Sequence, residues 1–313
     1  MRDVILNRGL RSAPLQEIGL GFTRLFYQRF GLQQLLRSSG LLRLTPQIER
    51  LDRYMPAIPA RSVRRTLPEV VEAQGEKRGR IGFFLGCAMN TMFASASLAS
   101  VRVLSKLGYD VVIPRGVVCC GAPQMSLGER EMAKSMAKQN LTCFDGLDTI
   151  VTDCAACGVE LKHYHALLED SEVESFSSRV KDFSEFVGPA LQDSGLPLSI
   201  NQESVTWHAP CHLAHAQGIC KPPIDLLKNI SLDYRTLPEQ DRCCGSAGIF
   251  WMTQPEIADH ALARKLQNIR TTGAKVVATG NPGCVLQLIA NRNPTDNWQV
   301  KYISVLVDEA ISA

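Results

Sequence analysis

The sequence predicts an α/β protein of two tandem units with parallel sheets, preceded by a helical N-terminal arm. Two observations carry this expectation. Cysteines recur with the same spacing in both halves of the chain, and each recurrence sits in the same alternation of short apolar runs and longer amphipathic stretches. At 313 residues and 45% hydrophobic, the chain has the apolar material for more than one core.

The repeat is arithmetically tight. Cys87 is followed 32 positions later by Cys119-Cys120-Gly121, and Cys211 is followed 32 positions later by Cys243-Cys244-Gly245, an offset of 124 in both cases. Cys154-Ala-Ala-Cys157 closes the first unit, and Asn281-Pro-Gly-Cys284 stands at the matching place in the second, 127 positions on. Short apolar runs at 81–85 and 204–208 read as strands that end at the first cysteine. Helical stretches follow at 92–107 and 213–227, then second strands at 110–113 and 234–237 leading to Cys-Cys-Gly. Residues 129–141 and 255–269 are helical again, with apolar residues three and four apart. Third strands at 149–152 and 275–278 deliver the last cysteine segment. Each unit therefore reads β-α-β-α-β with its cysteines beyond strand C-termini, where open parallel sheets collect ligands. A Ser-, Gly- and Pro-containing segment, 170–202, is expected to connect the units. The expected domains are 1–80, 81–195 and 200–313.

Charge and targeting signals narrow the class. The net charge of +3 is too small to argue for nucleic acid, and residues 1–80 carry +8 of it against −5 for the remainder. Arg2, Asp3, Arg8, Arg11 and Pro14 do not form a signal peptide, and no apolar run reaches the 18 or so residues of a membrane span. A cytoplasmic location is expected. In a reducing compartment, eleven cysteines point to metal ligation rather than to disulfides.

The first unit offers Cys87, Cys119, Cys120, Cys154 and Cys157; the second offers Cys211, Cys243, Cys244 and Cys284, with Asn281 where a fifth would stand. Four thiolates suffice for tetrahedral zinc or a cubane 4Fe-4S cluster, while five exceed both and point to an unusual, noncubane cluster or an exchangeable ligand. Adjacent cysteines diverge, which suits a cluster with several irons better than one ion. Cys143 and Cys220 lack counterparts in the other copy and read as structural thiols. Among His208, His212 and His215, His212 is the first candidate for proton transfer or sulfur contact because it follows Cys211, and His208 the second. His163 and His165 read as surface residues. Gly121 and Gly245 are expected at positive φ or at a close backbone approach, and Gly280 and Gly283 in a tight turn presenting Cys284. Gly19-Leu-Gly21 lacks the third glycine and preceding strand of a dinucleotide fingerprint.

In the arm, residues 15–44 interleave Phe22, Leu25, Phe26, Phe30, Leu35 and Leu36 with Arg24, Arg29, Arg37 and Arg43. Such a stretch can lie on anionic lipid or dock a partner, but packing on the chain's own units is the simpler expectation. Gly31 and Gly40 should break it into short helices.

The spacing Cys-x31-Cys-Cys-Gly-x32-Cys-x-x-Cys, with its second copy, resembles the cysteine-rich CCG domain family over about residues 81–295. One subunit of heterodisulfide reductase belongs to that family. The wording HAPCHLAHAQG, CCGSAGIF and GNPGC is most similar to the iron–sulfur subunits of glycolate oxidase (glycolate dehydrogenase). The resemblance implies two Rossmann-like CCG units, iron–sulfur clusters of 4Fe-4S type, and the nine repeated cysteines as their ligands. It also implies an electron-relay subunit of a 2-hydroxyacid dehydrogenase, taking electrons from an FAD-binding partner toward a quinone-linked acceptor at the inner face of the membrane. Members of this branch open with two ferredoxin motifs, whereas this sequence has no cysteine before Cys87. A truncated or split product, or a separate ferredoxin-like chain, is therefore expected. Two alternatives are a thiol–disulfide reductase acting through a cysteine-bound cluster and a scaffold holding structural zinc.

Overall fold

A computed structural model of the chain describes residue 9, residues 11–169 and residues 171–312. Among these residues the chain forms two sheets. The first runs β1(Val70–Val71), β3(Tyr109–Val112), β2(Gly79–Phe83), β4(Ile150–Thr152) and β5(Val180–Asp182) across the sheet, parallel except for β1. The second runs β7(Tyr234–Arg235), β6(Val205–Trp207), β8(Val276–Thr279) and β9(Gln299–Tyr302), all parallel. Leaving out β1, the two orders are the same. In each, the chain moves outward to one side after the first strand and returns to the other side for the third, which creates a switch point between them.

Two expectations are corrected here. Each unit has a fourth parallel strand, and the supposed connection at 170–202 contains one of them. It forms the helix Ser171–Arg179, then β5, then the helix Phe183–Gln192, which opens with a capping box at Asp182 and Glu185. Only the stretch from Asp193 to Ser204 is left to join the units. The first sheet also reaches back into the arm through β1, which pairs Val70 with Val112.

The units pack reciprocally. The helix Ala94–Lys106 of the first meets the last helix, Ile303–Ser312, of the second, and the helix Lys221–Ile230 of the second meets Phe183–Gln192 of the first. Matching helices exchanging matching partners is the signature of a pseudo-twofold axis. The Tyr302 hydroxyl donating to Met89 Sδ at 3.2 Å and the Ser304 hydroxyl donating to the Ala96 carbonyl at 3.0 Å knit this seam. Phe83, Phe84, Phe144 and Trp207 lie fully buried in the core. Gly82 is required in β2, because a Cβ there would meet the Phe144 ring at 2.6 Å.

The arm breaks as expected at Gly31 (φ 77°) and Gly40 (φ 73°), giving Ala13–Phe22, a π-helical turn Thr23–Arg29, Leu32–Ser39, and Pro46–Arg53. It does not bury its apolar stripe. Phe22 and Phe30 are 63% and 67% exposed, and Leu35, Leu44 and Ile48 are also exposed. The reason is that the arm docks through polar and stacking groups instead. Glu17 accepts from Ser62 Oγ at 2.6 Å and Arg65 Nε at 2.7 Å within the arm, and from Asn90 Nδ2 of the first unit at 3.3 Å. Buried Asp52 accepts from Tyr27 (2.7 Å), Gln33 (2.8 Å) and Arg37 (2.6 Å), folding the arm back on itself. Tyr54 stacks on Trp251 of the second unit at 3.9 Å, and Arg50 forms a forked pair with Asp259. No helix among the described residues is long and apolar enough to cross a membrane.

Candidate metal centres

Each cysteine group stands beyond strand C-termini. In the first unit, Cys87 follows β2 and opens the short helix Cys87–Thr91, Cys119 and Cys120 follow β3, and Cys154 follows β4. The structure brings all five thiols together. Contacts run continuously from Cys87 to Cys119 (3.7 Å), Cys120, Cys157 and Cys154. In the second unit the contacts run from Cys211 to Cys243, Cys244 and Cys284, and then to the imidazole of His208.

Local sequence shapes these loops. Gly121 has φ 101° and Gly245 φ 83°; at Gly245 a Cβ would meet the Ala258 carbonyl oxygen at 2.3 Å, so the position requires glycine for both conformation and space. Gly280 and Gly283 do not make the expected tight turn. Pro282 instead starts the helix Pro282–Ala290, and a Cβ at Gly283 would lie 2.6 Å from Ser246 Oγ. Helices thus begin at both closing segments, Ala155–Lys162 and Pro282–Ala290. The positive ends of their dipoles favour thiolates there.

The thiols polarise one another. Cys120 is drawn down to about 7 because Cys119 and then Cys157 hydrogen-bond its thiolate. Cys243 is likewise lowered by Cys211 and then Cys244. Cys284 is lowered as well, first by Cys244, so each group holds at least one readily ionised thiol, as metal binding requires.

Asn281 is not a spare position. Its Nδ2 donates to Cys284 Sγ at 3.5 Å, while its Oδ1 accepts the Ala156 N–H of the other unit at 3.2 Å. Ala155 N–H also donates to the Gly280 carbonyl at 3.0 Å, so the two closing segments lie back to back. Gln217 Nε2 crosses the same seam to the Ala155 carbonyl at 2.9 Å.

The histidines divide. His208 is wholly buried, and its ligating atom lies within 4.8 Å of those of Cys244 and Cys284. His212 is half-buried and reaches only Cys211, at 3.6 Å, because neighbours in a helical turn point about 100° apart. His215 is exposed beside Asp241, and His163 and His165 are exposed. Cys143 is half-buried at a helix end, with its thiol donating to the Gln139 carbonyl at 3.2 Å. Cys220 is exposed rather than a core thiol.

Lys265 was not singled out by sequence. It is fully buried on the helix Pro255–Thr272, and its ammonium donates to the carbonyls of Glu239 (2.6 Å) and Gln240 (3.1 Å) in the loop leading to Cys243. Burial pulls it down to about 8, and Cys244 leads the negative groups that offset this. Glu239 itself is held at φ 49°. The signal was present: a lysine inside the apolar stripe Ala258, Leu262, Leu266, Ile269.

These donor sets fit an iron–sulfur cluster. They are largely buried and sulfur-rich, and each has a member poised to ionise. The backbone comes close to the first group at Gly86, where a Cβ would lie 3.0 Å from Cys157 Sγ. Fold and site together define a class of duplicated α/β protein that gathers one thiol group at the switch point of each half. The chain belongs to the cysteine-rich (CCG) domain family, which it matches over residues 81–162 and 205–289. It is 34% identical over 272 residues to the probable glycolate oxidase iron-sulfur subunit of Bacillus subtilis (strain 168), covering 84% of this chain and 61% of that protein. It is 33% identical over 239 residues to a subunit of the fumarate reductase (CoM/CoB) of Methanothermobacter marburgensis, covering 75% and 47%. It is 28% identical over 236 residues to lactate utilization protein A of Bacillus pumilus (strain SAFR-032), covering 73% and 99%. The chain thus spans 61% of the first of these relatives and 47% of the second.

Proposed function

We propose that this chain is an iron–sulfur electron-transfer subunit of a 2-hydroxyacid dehydrogenase complex, with glycolate as the substrate oxidised by an FAD-binding partner. The observation that carries the reading is the pair of largely buried thiol groups, one in each unit, whose closing segments Asn281 links. A cluster bound at each group supplies one-electron storage. The chain's own residues do the rest. The cysteines hold the clusters and the fold buries them away from water. The amide of Asn281 bridges a sulfur of one group to the backbone beside the other.

The arm supports the partner assignment. Near the first group its Arg11, Ala13 and Gln16 line a crevice with Cys87 and Cys119, and further along Tyr54 stacks on Trp251 of the second unit. Over this it turns outward the rings of Phe22, Phe26 and Phe30, spaced 4.2 and 5.6 Å centroid to centroid. We read this row, with its neighbouring arginines, as the face that docks the flavin subunit. From the clusters the electrons pass on toward a quinone-linked acceptor, in the cytoplasm at the inner face of the membrane.

Anaerobic purification followed by iron, sulfide and zinc analysis, with visible and EPR spectra before and after reduction, tests the reading. Iron with matching sulfide and a reducible signal is expected, with one cluster's share lost in Cys284→Ser. Zinc without sulfide would overturn it.

A further inference from the structure

We infer that His208 is a metal ligand of the second site, placing an imidazole nitrogen where the first site has its fifth thiol. This deepens the iron–sulfur reading above and rests on it for the identity of the metal. Both sites are five-membered chains of contacts. The first ends Cys120, Cys157, Cys154, and the second ends Cys244, Cys284, His208.

Three features single His208 out. It has no exposed surface, yet neither Nδ1 nor Nε2 makes a well-directed hydrogen bond, and the imidazole meets only the Cys284 sulfur. A buried imidazole with both nitrogens unsatisfied is costly, so it belongs where something fills the gap. Its backbone is pinned at the end of β6, with its N–H donating to the Ala278 carbonyl at 2.9 Å, so the ring projects from a rigid element. And the residue at the matching cysteine position cannot serve, because both ends of the Asn281 amide are engaged, at Cys284 and at Ala156.

Binding needs only the lone pair of one ring nitrogen. The proton stays on the other nitrogen, and no electron changes hands. A neutral imidazole in place of a thiolate makes the site one charge less negative, which favours its reduced state. The buried Lys265 ammonium acts in the same sense on Cys244 and Cys284. The second site should therefore sit at a higher potential than the all-cysteine first, and electrons should collect there.

The test uses the full chain, purified and reconstituted anaerobically, with and without 15N-histidine, and pulsed EPR in whichever oxidation state is paramagnetic. A directly bound nitrogen should give a strong coupling that changes with the isotope and disappears in His208→Ala. His208→Cys should keep its iron and sulfide while the midpoint potential of the second site falls below wild type. Full iron and sulfide in the wild type without a histidine nitrogen coupling would overturn the assignment, even if the alanine variant fails to fold. An unchanged potential in His208→Cys would overturn it as well. Zinc without sulfide would sink the cluster reading separately. In that event a nitrogen in the zinc shell by X-ray absorption keeps His208 as a ligand, and an all-sulfur shell removes it.

Discussion

The side-chain amide of Asn281 lies between Cys284 and Ala156, donating to the sulfur of one unit and accepting from the backbone of the other. A cysteine in this place would add a ligand to the second site and leave the seam without its bridge. Asparagine does the reverse. It stabilises the Cys284 thiolate with a hydrogen bond and caps an N–H at the start of the helix Ala155–Lys162, within three residues of two thiols of the first site.

Asn281→Ala removes both bonds at once. The thiolate and the Ala156 N–H lose their partners, at a cost of about 1–3 kcal/mol. Denaturant titration under argon should show a lower midpoint with an unchanged slope. Rapid-mixing reduction should show the two sites filling with electrons less synchronously than in wild type. Unchanged stability and kinetics would mean that the bridge is incidental.

The nine clustered cysteines and the two outlying ones should behave as separate classes. Cys120→Ser removes the most readily ionised thiol of the first group and should release that site's share of iron and sulfide. Cys143→Ser and Cys220→Ser should keep the full complement, because the first thiol is tied to the Gln139 carbonyl and the second is exposed. Metal and sulfide analysis of the three proteins side by side decides it.

Legibility in the sequence followed physical regularity. The strands leading to cysteines were visible because apolar runs stopped at a repeated motif, and the switch-point location followed from that order. β5 and β9 escaped because they are short edge strands carrying Lys181, Asp182, Gln299 and Lys301 rather than an apolar run. His212 outranked His208 on adjacency to a cysteine, but adjacency in a helical turn separates side chains, whereas the end of a buried strand can aim one inward. The arm's periodicity showed a helical stripe without saying what covers it. The polar anchors Glu17 and Asp52, which decide which way the stripe faces, pair with residues 15 to 73 positions away.

Because those anchors hold the arm, its outer phenylalanines can be changed without disturbing the fold. Phe22→Ser, Phe26→Ser and Phe30→Ser together should shift stability by no more than about 0.5 kcal/mol per site. Association with the proposed FAD-binding subunit should weaken at least about tenfold, since three aromatic anchors leave the proposed contact. Sedimentation or surface binding with the purified partner measures this. Full-strength binding by the triple variant would place the docking face elsewhere.

Asp182 gives the fold a pH dependence of its own. Burial raises it from 3.8 to about 6, with Ser184 N–H and Oγ–H donating to Oδ1 as partial compensation. A carboxyl whose folded value is raised binds its proton more tightly in the native state, so its contribution favours folding most below about pH 4. That contribution is lost as pH climbs to about 6, and above that the buried charge is a constant cost on the order of 3 kcal/mol. Asn in this position accepts the same two bonds at Oδ1 and cannot ionise. Asp182→Asn should therefore match the wild type near pH 4 and exceed it in denaturant midpoint at pH 7, the difference growing between those values. Parallel curves for the two proteins across that window would mean that Asp182 ionises in the fold as freely as in water.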